Sequence, residues 1–162
     1  MARPGRLAAS IALAAGAALV GPATSGADSV YVLRLVSITV SGTLTDTGKP
    51  GPSRGDHFDM KDTLVNAVRQ LGKPKGARVG SDRARLELVS ATKSEISGIA
   101  RLPGGTVTFE GGFTVRAGGT FAVPIVGGTG RWAKARGTLT VYPPFAQNRT
   151  INVFRIGVPL TA

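Results

Sequence analysis

One acidic side chain on an otherwise apolar strand face is the first feature of this sequence that could do chemistry. From His57 to Leu64 the residues alternate. Phe58, Met60, Asp62 and Leu64 share one face, and His57, Asp59, Lys61 and Thr63 share the other. That period of two belongs to a half-buried strand. A carboxyl carried into an apolar interior has its charged form disfavoured, and a raised pKa suits it to give or take a proton. A structural reading competes. Leu64, Val65, Val68 and Leu71 have helical spacing, and Asp62 would then cap a short helical turn. Both readings of Asp62 stand. His57 has the opposite parity and is expected to face outward. Phe58 and Met60, with Leu86, Leu88 and Phe109 from later strands, are candidates for core or for the wall of a ligand cavity, two roles that overlap in a small barrel.

Composition narrows the chemistry. The chain has 162 residues, no Cys and one His. A disulfide framework, a thiol nucleophile and a thiolate metal site are excluded, and one His makes no zinc cluster. We expect no metal and no cofactor. Arg3 and Arg6 precede an uncharged small-residue run, Leu7 to Val20, and Ser25-Gly26-Ala27 follows. This reads as a secretory signal peptide over residues 1–27, too short in its apolar part for a comfortable membrane span. The expected product is a secreted, extracellular protein with one domain over 28–162. Removing Arg3 and Arg6 leaves 18 basic and 9 acidic side chains. The excess favours peripheral contact with an anionic envelope. The basic residues are spread along the chain, and a nucleic-acid partner is not expected. A local run of Arg69, Lys73, Lys75, Arg78, Arg83 and Arg85 against Asp82 reads as a solvated loop.

The elements that must position these groups are strands. Ser29–Val40 is dense in β-branched and aromatic residues and opens the fold. A Gly/Pro turn, 46–55, leads to the 57–64 strand. Further strands are expected over 83–91, 95–102, 106–115 and 120–126, each bounded by turn residues. Val126 to Val141 reads as strand, glycine turn (Gly127, Gly128, Gly130), the single Trp132, and strand again. Arg149–Val158 is the eighth. A β-run follows the glycines, without Gly-Lys-Ser/Thr, so they are not a phosphate-binding loop. Eight evenly spaced strands predict an all-β fold, an eight-stranded antiparallel β-barrel, lipocalin-like in appearance.

Gly127-Gly-Thr-Gly-Arg-Trp-x-x-Ala-Arg-Gly137 resembles the glycine signature of dirigent proteins and of the allene oxide cyclase barrel superfamily. Gly51-Pro-Ser-Arg-Gly-Asp-His-Phe58, Val79-Gly-Ser-Asp82 and Leu102-Pro-Gly-Gly105 fall in the same order as in its secreted bacterial members. The resemblance spans Val30 to Val158. It implies a barrel with an apolar cavity, a homodimer or homotrimer, and cofactor-free cyclisation or steering of coupling. It places a polar cavity residue at Asp62 and an active-site arginine at Arg136, which would steady a developing anion or simply pair with Asp62 or a carbonyl. Tyr142 shares the parity of Arg136 and would put its hydroxyl in the cavity or serve as an interface aromatic. Relatives often carry a Cys pair where this chain has Leu86 and Ile96, which implies an apolar contact there. Gly130 and Arg131 stand where many dirigent proteins have an acid, and Val30–Val40 lacks the glutamate of the plant cyclases. The expected function is binding of an apolar small molecule and steering of its cyclisation or coupling, as an isomerase-type cyclase if it is an enzyme. The alternative is a non-catalytic binding or envelope-associated module.

Overall fold

The computed structural model describes residues 28–160 other than 49, 115 and 117. The expected signal peptide lies outside the described residues. The rest is a meander of eight antiparallel strands: β1 (Ser29–Thr45), β2 (His57–Asn66), β3 (Arg78–Ser90), β4 (Lys93–Leu102), β5 (Gly105–Thr114), β6 (Phe121–Gly130), β7 (Arg136–Ala146) and β8 (Arg149–Val158). Each strand pairs with the next, and β8 returns to pair with β1 over Ser29–Ile38, so the sheet closes. Closure removes the exposed edges that a sheet otherwise presents. Among the described residues there is no helix.

Alternation along each strand fills the interior. Leu33 and Leu35 of β1, Leu64 of β2, Leu102 of β4, Val107 and Phe109 of β5, and Phe154 and Ile156 of β8 are buried in one cluster. Phe109 and Phe154 meet edge to face at 6.4 Å. Small residues make room for large ones. A Cβ on Gly98 would run into the Phe109 ring, and one on Gly42 into the Phe58 ring. Gly42 faces inward because β1 bulges between Thr39 and Ser41, which resets its parity against β2.

Two sequence expectations give way. No helical turn follows Leu64. β2 runs on to Asn66, whose side-chain amide donates to the carbonyls of Gln70 (2.8 Å) and Lys73 (3.2 Å) and so organises the loop. Leu64 is core and Val68 is exposed, so the spaced apolar residues never form one helix face. The glycines 127–130 are likewise strand, paired with β5 from Thr108 to Gly105. The turn is the segment after them, 131–135. Gly128 is needed for close approach, since a Cβ there would strike the carbonyl oxygens of Trp132 and Thr106.

Trp132 plugs the end of the barrel where that turn lies. It is fully buried, donates its indole N–H to the Pro103 carbonyl at 3.2 Å, and meets Tyr31 edge to face at 5.2 Å. The Arg131 guanidinium stacks over both rings, 4.8 Å from Tyr31 and 5.1 Å from Trp132. Truncating a buried Trp leaves a large cavity and typically costs about 3–5 kcal/mol. Trp132→Ala is therefore expected to lower the unfolding free energy by that amount in urea titration, moving the midpoint down accordingly, with Trp132→Phe losing clearly less. An unchanged midpoint in Trp132→Ala would show that the plug is dispensable.

Candidate functional site

Asp62 sits in the middle of β2 and points inward, as its parity with Phe58, Met60 and Leu64 requires. It is 7% exposed. Its register partner on β3 is Asp82, itself 5% exposed, and direct partners share a face of the sheet. Two carboxyls therefore oppose each other inside the barrel. Ser37 of β1 donates its hydroxyl to Asp62 Oδ2 at 2.5 Å. Asp62 Oδ1 and Asp82 Oδ1 are buried without a hydrogen-bond partner.

The electrostatics follow from that placement. Burial, then the charge of Asp62, then the hydrogen bond between the two carboxyls push the Asp82 carboxyl from its ordinary 3.8 up to about 7. Two like charges this close in an apolar interior cannot both ionise cheaply. Asp82 therefore keeps its proton through the acid range and releases it near neutrality, where a general acid or base works best.

The barrel opens at the end toward the 46–56 loop. Phe58 and Leu86 are register partners two steps along β2 and β3 toward the 46–56 loop, with Met60 and Ala84 between them and the acids. Four residues of strand make that roughly 13 Å. A crevice of about 270 Å³ lies here, walled by Leu44, Phe58, Leu86 and Leu88 and roofed by Gly51 and Pro52. The loop is held by Asp56, which accepts from the backbone N–H of Ser53 (2.7 Å) and of Thr47 (2.9 Å). Those hydrogen bonds keep the Asp56 carboxyl below the usual range. Leu86 is also the register partner of Ile96, which places two apolar side chains at the positions the resemblance singled out.

The remaining sequence candidates divide. Phe109 is buried at the layer of Met60 and Ala84, its register partner being Gly98. Arg136 and Tyr142 are outside. Arg136 is exposed at the start of β7, and its guanidinium donates to the Val126 and Ala135 carbonyls, so it neither enters the interior nor meets Asp62. The Ala-Arg-Gly segment ends the turn at the plugged end. Tyr142 is 43% exposed beside a bulge between Tyr142 and Ala146 that disrupts the pairing of β7 with β8. His57 contacts the Gly55 carbonyl at 3.2 Å and lies 3.8 Å from Asp59. Asp82 was missed because the third strand was expected to start at Arg83. It starts at Arg78, and the inward parity of Leu86 carried back through Ala84 reaches Asp82. Among the described residues no group of three potential ligands could hold a metal ion.

The acid pair leaves a mark on stability. Below about pH 4 Asp82 is protonated in both folded and unfolded chains. Between 4 and 7 only the folded chain keeps the proton, so stability falls as pH rises through this window, by on the order of 4 kcal/mol in all. Asp56 and Asp59 are shifted downward and act below that window. Chemical denaturation from pH 4.5 to 7.5 is expected to show a decline in the wild type and a flat profile in Asp82→Asn. The same decline in the variant would place the titrating group elsewhere.

Comparison with known proteins gives the geometry a family. No curated protein matches the sequence. Among solved structures, a pyocyanin demethylase is 23% identical, with 77% of this chain and 99% of that one covered at a TM-score of 0.63. An exo-specific intermolecular Diels-Alderase is 15% identical, with 82% and 100% covered at 0.67. A pterocarpan synthase dirigent protein is 14% identical, with 84% and 89% covered at 0.62. At these identities the likeness is one of fold. The model of the allene oxide cyclase barrel like domain matches residues 36–154, from within β1 to within β8. With the closed eight-stranded barrel already established, this chain belongs to the allene oxide cyclase barrel-like family.

Proposed function

We propose that the barrel takes a small, mainly apolar molecule at its open end and steers its cyclisation or coupling without a cofactor, with the Asp62–Asp82 pair providing the proton. The observation that carries this reading is the pair itself: two opposed, buried carboxyls with unpartnered oxygens, one of them protonated up to about pH 7. An acid of that kind, in dry surroundings, donates to an oxygen where negative charge develops and stabilises it more than water would. The apolar walls hold one reactive conformer.

The crevice of about 270 Å³ is slightly below the usual range of roughly 300–1,000 Å³ for small-ligand pockets. Room for more lies beneath it. Gly42, Ala84 and Gly98 add almost no bulk at the next layer, which leaves Met60 and the rings of Phe58 and Phe109 as its filling. Met60 is unbranched and flexible, and its displacement would bring a ligand down to the acids. Export and assembly as a homodimer or homotrimer belong to the same proposal. They rest on the 1–27 segment and on the family resemblance. The solid packing of the barrel below the acids favours a second reading, a barrel that binds a ligand without transforming it.

Two probes separate the readings. N-phenyl-1-naphthylamine is expected to fluoresce on binding the wild type, severalfold more tightly with Met60→Ala and hardly at all with Leu86→Asp. A dienyl enone that cyclises slowly in buffer is expected to cyclise faster with the protein. That acceleration should decline as pH rises through 7 and fall about 100-fold in Asp82→Asn, as loss of a general acid implies. Naphthylamine binding with no acceleration selects the non-catalytic barrel. Absence of binding by the wild type sinks both readings.

A further inference from the structure

The outer face of the barrel carries a second feature, independent of the interior acids. A groove of about 950 Å³ runs from the bulged part of β1 across β2, β3 and β4 to β5. Its floor is the backbone of those strands, including the residues whose carboxyls point the other way, Asp62 and Asp82. Its walls are outward-facing side chains, and the interior-facing residues of β6–β8 line none of it.

The cations of this groove outnumber its two outward carboxylates, Asp59 and Glu110. Lys61 of β2 and Arg83 of β3 are direct register partners, so two cations stand opposite each other on adjacent strands. Like charges in that position are destabilising. Arg83 in turn partners Ile99 of β4, and Arg101 lies two residues further on, a diagonal of roughly 7 Å. Lys61, Arg83 and Arg101 thus form an oblique line across three strands. Nearby Arg85 is neutralised by a bidentate pair with Asp59, at 2.8 and 2.9 Å. Among the described residues this is the only Lys or Arg bridge to a carboxylate. Thr63, Ser81 and Ser97 set hydroxyls between the cations.

We infer that this groove binds an extended polyanion made of phosphodiester groups on a base-free polyol chain. The guanidinium fork of Arg matches phosphate oxygens, and hydroxyls beside it add donors for the same group. A row of three unneutralised cations fits a partner whose charges repeat along a line. The groove is concave, which suits a chain rather than the flat surface of a bilayer. It presents Ile99 but no outward aromatic side chain among its lining residues. Single-stranded nucleic acid binding draws much of its strength from bases stacked on such rings, and a base-free chain loses nothing here. The like charges of Lys61 and Arg83 also oppose self-association through this face.

The test uses synthetic poly(glycerol phosphate) and the full mature chain, with affinity measured by calorimetry at several salt concentrations. Arg83→Gln/Arg101→Gln is expected to weaken binding at least tenfold in 50 mM salt and to flatten the salt dependence by about the contribution of two contacts. Arg34→Gln/Arg155→Gln, an equal loss of charge on exposed positions of β1 and β8, is expected to leave binding within twofold. Equal losses in both double variants would reduce the effect to net charge and overturn the proposal. So would tighter binding of a single-stranded oligonucleotide of matched charge, tighter binding of vesicles containing an anionic lipid, or a dimer that the Arg83/Arg101 substitutions dissolve. Unfolding midpoints of both variants within a degree of the wild type exclude a folding defect as the cause.

Discussion

The pairing of β8 with β1 is the contact on which the rest depends. It runs through ten register pairs, from Ser29 with Val158 to Ile38 with Arg149. Without it the meander would be an open, twisted sheet whose inner face met water at two edges. With it, half of every strand faces a space sealed from solvent at the plugged end. Burial of Leu35, Leu64, Phe154 and Ile156 follows from closure plus alternation. So does the unusual state of the acids. Asp62 and Asp82 are ordinary residues on ordinary strands, and closure makes their surroundings apolar and their mutual repulsion strong.

The two ends of the barrel are built differently, and sequence explains the asymmetry. At one end the close approach allowed by Gly128 and Gly130 brings the 131–135 turn down onto the neighbouring turn, where Arg131 N–H donates to the Gly104 carbonyl at 2.7 Å. Trp132 then has a tight socket. At the other end β1 and β2 are joined through a long Gly/Pro loop, held as an arch by the Asp56 carboxylate rather than packed into the interior. Phe113 and Phe121 stack at 3.8 Å on the far side of this end. The result is a floor that cannot admit a ligand and a mouth whose walls are apolar and partly exposed.

Much of this was legible in the chain. Eight strands, their antiparallel order and the inward set Phe58, Met60, Asp62 and Leu64 follow from period-two alternation and turn residues, because local pattern decides which face is buried. What local pattern cannot supply is register. That Asp62 stands opposite Asp82, and that Lys61 stands opposite Arg83, depends on how two strands slide past each other. Strand limits fail for a related reason. Gly80 reads as a loop residue, yet it is glycine because the Arg101 carbonyl of β4 leaves no space for a Cβ. Arg136 shows the other side of local pattern: of the roles open to it, the structure has the pairing with backbone carbonyls, because its position at the start of β7 puts it on the plugged end.

Register also turns a misleading charge count into a sorted one. The stretch from Arg78 to Arg85 contains Arg78, Arg83 and Arg85 with Asp82 among them, and read along the chain it looks like a basic loop with one compensating acid. On a strand, neighbours along the chain point to opposite sides of the sheet. Asp82 goes inside, where it meets Asp62, and Arg83 and Arg85 go outside, where they meet Lys61 and Asp59. The acid therefore compensates nothing on the surface, and the surface cations do little for the buried pair, which lacks a cationic partner among the described residues. One alternating stretch thus creates both an under-solvated acid within the barrel and an excess of cations in the groove outside it. A single change of register by one residue would exchange the two faces and abolish both.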